Sequence, residues 1–363
     1  MKKIYDNTIE PENTILVAVG INETLDESAL DELSDLCRTC NLHEVARTVQ
    51  NRKSMDMTWA IGKGKVEELR EMVIKHKADC VVFDIELKGS VVRNLEKELH
   101  VAVLDRSQVI LDIFAQRAQS MEGQLQVELA QLKYNLPRLI GSGGLMSKMR
   151  NAVGMRGPGE KKLELDKRTI RDQIIDLEKR LKKISASRDL NKQQSKKSGV
   201  KRVALVGYTN SGKSTLLNTL TKAGVIAEDK LFATLDAKTA SIYLQHDDGT
   251  GTKVLLTDTV GFINRLPHEF IYAFESTLSE ARHADLLLHI IDISNPQFQM
   301  QIDVVNGVLK KIRACHIPQI MVFNKIDKLI PINVTQITKD FSNSVAVSAK
   351  HNIGMDALKA RLV

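Results

Sequence analysis

The chain is expected to be α/β, with a small parallel α/β domain first, an antiparallel helical hairpin next, and a second α/β domain built around a phosphate-binding turn last. Three observations predict this. Short apolar runs alternate with helical patterns over the first hundred residues, two long segments in the middle carry leucine and isoleucine at steps of three and four, and a glycine-rich turn near residue 207 lies between an apolar run and a helical pattern.

In the first region the predicted strands are Ile15 to Val19, Glu44 to Val49, Cys80 to Phe83 and Val101 to Leu104. Helical patterns fall between them at Leu25 to Leu36, Val66 to Ile74 and Val91 to Leu99. Such alternation implies a parallel sheet, and this domain is expected to span 1–106. The turn from Gly62 to Lys65 opens the second helix and could receive an anion. It lacks the spacing of a phosphate loop, so a basic turn is the preferred reading and a second nucleotide site the alternative.

The hairpin is expected over 107–190. Leu125, Leu129, Leu132 and Leu136 form one seam, and Ile170, Ile174, Leu177, Leu181 and Ile184 the other. Pro137 ends the first helical region, 141–159 is a glycine-rich basic insert carrying Lys148, Arg150 and Arg156, and 191–199 reads as a polar linker. Between Lys161 and Ser198 thirteen Lys or Arg face six Asp or Glu, an excess equal to the whole chain's net charge of +7. A polyanionic partner would suit that stripe; a solvated face laced by i,i+4 pairs is the competing account.

The last domain, 200–363, holds the chemistry. Gly207, Tyr208, Thr209, Asn210, Ser211, Gly212, Lys213 and Ser214 have the P-loop pattern, preceded by the apolar Val203 to Val206 and followed by Thr215 and a helix. Main-chain N–H groups of such a turn cradle phosphates, the lysine reaches the β and γ oxygens, and the serine can ligate Mg²⁺. Asn324, Lys325 and Asp327 follow the apolar Ile320 to Phe323. A carboxylate at that point can accept from N1–H and the 2-amino group of guanine, which adenine cannot match. Ser348, Ala349 and Lys350 supply a further loop toward the base, with the Ala349 N–H as donor to O6. Asp258, Thr259, Val260 and Gly261 have the form of a magnesium-holding, γ-phosphate-sensing loop, and Phe232, Ala233 and Thr234 lie in the connection where a threonine joins the metal. Thr234 is the choice and Thr239 the competitor. The metal set is therefore Ser214, Thr234 and Asp258, the reactive set Lys213, Thr234 and Gly261, and the domain a Ras-like P-loop GTPase.

Phe262 stands where many signalling GTPases carry the glutamine that orients water. A phenyl ring cannot do so, and intrinsic hydrolysis is expected at about 10⁻³ s⁻¹ or lower until a partner or another group completes the site. Packing of this ring against the switch helix is also expected. Asn210 makes K⁺ a candidate second cation, whose charge could replace an arginine finger.

Four scattered cysteines are too few for a disulfide framework, and Cys37 with Cys40 reads as two thiols on an amphipathic helix rather than a zinc or redox pair. Neither a signal peptide nor a membrane-length apolar run is visible, so a cytoplasmic protein, monomeric when free, is expected.

With these segments in view the chain resembles the HflX family of ribosome-associated GTPases. The matching segments are Leu111 to Ala118, Leu125 to Leu132, Leu136 to Leu139, Arg156 to Glu160 with Leu163 to Arg168, Phe232 to Asp236, and Asp258 to Phe262. The resemblance implies a GTPase that binds the large ribosomal subunit, its hairpin loop directed toward the peptidyl transferase region, and that splits stalled or idle ribosomes. Ribosomal RNA would then be the partner of the basic stripe. Lys161 and Lys162 stand where many members read Glu-Thr, and the thirteen residues after Lys350 suffice for a last helix but not for the extra C-terminal domain of many members. The alternatives are a ribosome-assembly or RNA-modification GTPase, and a nucleotide-gated coiled-coil scaffold.

Overall fold

The computed structural model describes residues 11–139, 160–196, 200–221, 231–232, 234–245, 250–265, 275–329, 341 and 343–362. The glycine-rich insert and Ala233 lie outside them. The chain divides into two compact units, one of 1–113 with 131–174 and the other of 114–130 with 175–363. The helical segments of 107–190 are thus apportioned between the two units.

The first unit is built on four parallel strands, β1 (Glu12–Ile21), β2 (Leu42–Arg52), β3 (Cys80–Phe83) and β4 (Ala102–Asp105), in the order β2-β1-β3-β4. Ile15 to Val19 of the central β1 are all buried, as expected of a parallel strand covered on both faces. Helices α1 (Asp31–Thr39), α2 (Lys63–His76) and α3 (Gly89–Leu99) fall where periodicity places them. Val66, Leu69 and Val73 of α2 and Val91, Leu95 and Leu99 of α3 share one core with Ile15, Val17 and Phe83.

Helix α4 (Arg106–Arg117) follows β4 directly, and α5 (Met121–Asn135) follows α4. At the ends of β3 and β4 a charged cluster formed that no motif announces. Arg106 pairs with Asp84 (2.7 Å) and Glu32, while the fully buried Asp105 carboxylate accepts from Tyr134 Oη (2.6 Å), Arg138 (2.9 Å) and the Leu87 N–H (2.9 Å). In open α/β sheets this end of the strands is the ligand end; here the chain's own side chains occupy it. The Gly62 N–H is likewise taken by Gln50 (2.8 Å) and Lys65 by Glu68 (2.7 Å), which favours the plain basic turn.

Burial pushes the thiols up, Cys40 to about 12 and Cys80 to about 11, which makes them inert packing groups. Among the described residues no group of three or more His, Cys, Asp or Glu could hold a metal. No helix among them is long and apolar enough to cross a membrane.

Helix α6 runs unbroken from Glu160 to Lys196, so the polar stretch expected to be a linker from residue 191 is helical for most of its length. Its glutamine- and lysine-rich composition favours helix as much as solvation. Leu177 is buried and Ile170, Ile174, Leu181 and Ile184 are half-buried, whereas Lys179, Arg180, Lys182 and Lys183 are exposed. The apolar seam and the basic face are thus opposite sides of one helix.

The second unit carries β5 (Lys201–Gly207), β6 (Lys238–Gln245), β7 (Gly251–Asp258), β8 (Leu286–Asp292), β9 (Gln319–Asn324) and β10 (Ser344–Ala346), in the order β10-β9-β8-β5-β7-β6. Only β6 pairs antiparallel among these described strands, with β7. Its described helices include α7 (Lys213–Thr221), α8 (Glu275–Arg282), α9 (Phe298–Lys311) and α10 (Met355–Ala360). Leu216, Leu217 and Leu220 of α7 pack with Val203, Leu205, Leu256 and Leu288, which anchors the helix that begins at the phosphate loop.

Candidate functional site: a nucleotide cradle

The cradle lies beyond the C-terminal ends of β5, β7, β8 and β9. Two glycines shape its first loop. An added Cβ at Gly207 would collide with the Ile290 carbonyl on the neighbouring strand, and Gly212, at φ +94°, would collide with the Asn324 side chain. Asn210 takes φ +58°, a conformation asparagine tolerates.

Lys213 is buried at the start of α7 and donates to the carbonyls of Tyr208 (2.8 Å) and Gly207 (3.2 Å). Burial pulls its ammonium down to about 8, with Asp258 opposing the shift. Around it the hydroxyls of Thr209 and Ser211 are buried without a hydrogen-bond partner. Unsatisfied buried donors at a phosphate loop are what an anion would satisfy.

The three expected metal ligands converge. Ser214 Oγ donates to Asp258 Oδ2 at 2.6 Å, Thr234 Oγ1 donates to the same oxygen at 3.0 Å, and the two hydroxyls are 2.8 Å apart. Asp258 Oδ1 is buried with no partner. Desolvation raises the Asp258 pKa, opposed by Lys213 and by both hydroxyls. A hard cation with oxygen ligands fits this set, since it would engage the orphaned oxygen and relieve the desolvation. Thr239, the competitor, is exposed on β6 and bonds Thr257 Oγ1 at 3.0 Å.

Several of the other named residues engage the protein itself. The Thr259 hydroxyl donates to the Leu205 carbonyl (2.7 Å), so that side chain belongs to the strand, and Val260 is buried. The Phe232 ring packs edge-on to Phe114 at 4.6 Å between centroids and is itself buried. Phe262 is buried too, its main chain bridged to the P-loop: its N–H donates to Gly207 (3.0 Å) and its carbonyl accepts from Thr209 (2.7 Å). Gly261 sits against that loop so closely that a Cβ would lie 2.8 Å from Thr209 Cα and 3.0 Å from Lys213 Nζ.

On the base side Asn324 is buried and ties two loops, donating to the Ser211 carbonyl (2.9 Å) and accepting from the Ala349 N–H (3.0 Å). That N–H is the one expected to meet guanine O6. Lys325 donates to the Asn210 carbonyl (2.7 Å) and pairs with Asp292 (2.7 Å), which makes it a brace of the P-loop. Asp327 is exposed, and the buried Ser348 donates to its Oδ1, the largest cause of its lowered pKa. His351, absent from the sequence reading, approaches Asp327 Oδ2 at 3.7 Å. Lys350 is exposed, and Thr215 is half-buried in the first turn of α7.

Comparison with known proteins agrees with this geometry. Family models match in three consecutive blocks, described as GTP-binding GTPase N-terminal (27–115), GTP-binding GTPase Middle Region (117–195) and 50S ribosome-binding GTPase (202–325). The chain is 47% identical to the GTPase HflX of Caldanaerobacter subterraneus, over 96% of this chain and 79% of that protein. It is 39% identical to the GTPase HflX of Escherichia coli, over 98% and 83%. In fold it is similar to the crystal structure of SsGBP in complex with GDP, with a TM-score of 0.53 and 24% identity over 96% of this chain and 97% of that one.

Proposed function

Because the chain belongs to the HflX family of GTPases and is a GTP hydrolase, we propose that it acts on the ribosome: it binds the large subunit and uses GTP to split stalled or idle ribosomes. The observation that carries this reading is the exposed basic face of α6 at Lys179, Arg180, Lys182 and Lys183, in a chain whose last domain matches a 50S ribosome-binding GTPase model. Arg180 does pair with Asp176 (2.7 Å), yet both are more than half exposed, so that pair holds little and competes weakly with RNA phosphate. A cytoplasmic location follows from the ribosomal partner.

In the pocket, Lys213 and the P-loop N–H groups hold the β and γ phosphates, Asp327 reads guanine, and Gly261 N–H reports on the γ-phosphate. Mg²⁺ would be held by Ser214, Thr234 and Asp258; when bound it neutralises charge on the phosphates. The buried Phe262 leaves water orientation to another group. Intrinsic turnover is accordingly slow and answers to the ribosome. K⁺ near the exposed Asn210 is a second cation that would supply the missing charge, tested by comparing hydrolysis in potassium and sodium salts.

The test of the main reading is sedimentation of intact ribosomes with the protein and GTP. Splitting yields subunits; a ribosome-assembly or RNA-modification factor associates with precursor particles alone; a coiled-coil scaffold does neither.

A further inference from the structure

Thr234 is held from both sides by one corner of the fold. Two residues upstream, Phe232 adopts φ +56°, a strained conformation for a bulky side chain, and its ring is pinned edge-on against the fully buried Phe114 of α4. Two residues downstream, the Asp236 carboxylate reaches the α4–α5 turn. Its Oδ2 accepts from the main-chain N–H groups of Gln119 (3.0 Å) and Ser120 (2.8 Å), and its Oδ1 from the Ser120 hydroxyl. Ser120 Oγ also accepts from the Gly123 N–H at 2.9 Å, capping α5, and a Cβ at Gly123 would lie 2.7 Å from Asp236 Oδ1. The charge therefore rests at the N-terminal end of a 15-residue helix, where unpaired N–H groups favour an anion. Leu231 and Leu235 are buried as well.

We propose that Asp236 is a positioning residue for GTP hydrolysis. Clasped by Gln119 and Ser120, and working with the Phe232–Phe114 contact, it fixes the main chain around Thr234 so that Oγ1 meets Ser214 and Asp258. The corner between α4 and α5 is then a structural part of the GTPase site. The physical reason is that a switch segment earns its geometry at two fixed points: with both ends held, the intervening threonine loses little further freedom when it engages the metal. This inference rests on the assignment of Thr234 to the magnesium set.

The experiment measures single-turnover GTP hydrolysis, and affinity for GDP and for a non-hydrolysable GTP analogue, in parent, Thr234→Ala, Asp236→Ala, Ser120→Ala and the doubles Thr234→Ala/Asp236→Ala and Ser120→Ala/Asp236→Ala. Asp236→Ala should slow hydrolysis by about tenfold or more, as misplaced groups do, and reduce preference for the GTP analogue, while GDP affinity stays within about twofold of the parent because the GDP contacts are untouched. Ser120→Ala, which keeps both N–H contacts, should show a smaller loss and none beyond Asp236→Ala in the double. Adding Asp236→Ala to Thr234→Ala should change nothing. Normal hydrolysis by Thr234→Ala would remove the assignment on which the proposal rests. An impaired Thr234→Ala beside a normal Asp236→Ala would overturn the positioning role alone, as would full additivity of the two. Should Asp236→Ala not fold, parent-like hydrolysis and nucleotide preference in a folded Ser120→Ala would overturn the clasp.

Discussion

Ser214 Oγ donates to Asp258 Oδ2 across 2.6 Å, joining the first turn of α7 to the end of β7, while Oδ1 of the same carboxylate is buried and unpartnered. Replacing Ser214 by Ala removes one oxygen of the set and leaves Asp258 with Thr234. Hydrolysis at saturating GTP should fall by about a hundredfold, on the scale of single electrostatic groups at such sites, and the magnesium concentration for half-maximal activity should rise. Titration of activity with Mg²⁺ in parent and variant checks both.

Asp327→Asn tests the base. The amide keeps an acceptor for the Ser348 hydroxyl and gains a donor that suits the extra carbonyl of xanthine. GTP affinity should drop by about a hundredfold or more while xanthosine triphosphate improves. Competition binding with the two nucleotides gives the answer, and unchanged GTP affinity would take Asp327 out of the pocket.

Nucleotide binding should take up a proton at Lys213. Its ammonium, pulled down to about 8 by burial, is partly neutral at pH 8.5, and a triphosphate returns it to the charged form. Calorimetry in buffers of different ionisation enthalpy should show uptake at Lys213 at pH 8.5 that is absent at pH 6.5, where the side chain is already protonated. A Lys213→Met variant should lose that difference along with most affinity.

His289 sets a stability slope on the acid side. It is buried on β8, and burial pulls its pKa from 6.5 to about 4. The folded state therefore binds the proton less readily than the unfolded chain, so stability is full above pH 6.5 and falls as pH drops toward 4, by about 3 kcal/mol across the window. Denaturant titrations of parent and His289→Leu between pH 7 and 4 should show that part of the slope in the parent alone.

Charge reversal at Lys179, Arg180, Lys182 and Lys183 should weaken large-subunit binding and flatten its salt dependence by about 0.7 to 0.9 in log–log slope per lost phosphate contact, with GTP affinity unchanged. Removing 143–157 should abolish splitting and also leave GTP binding intact. Turnover with and without purified large subunits separates the effects: equal stimulation of parent and loop-deleted protein would show that the loop does not couple ribosome to pocket.

The nucleotide cradle was legible because its chemistry is local in sequence. A glycine loop between strand and helix, and motifs that each follow an apolar strand, place their residues at one end of a parallel sheet whatever the details. The strands of the N-terminal unit were legible for a similar reason: a parallel strand buried on both faces is a continuous apolar run, as Ile15 to Val19 are. The sequence alone likewise set the basic face of α6 against its apolar seam, through helical periodicity.

Tertiary structure decided which partner each polar group takes. The Ala349 N–H goes to Asn324, the Thr259 hydroxyl to Leu205 and the Phe232 ring to Phe114, because buried groups bond or pack with whatever the fold brings nearest, and those partners lie 25, 54 and 118 residues away. Strand pairing likewise commits the Thr239 hydroxyl to Thr257. The Asp236 clasp on Ser120 spans 116 residues. Periodicity and motif spacing encode which face of an element is buried and which loop carries a charge; they contain no term for the meeting of distant side chains, which exists only once the chain has packed.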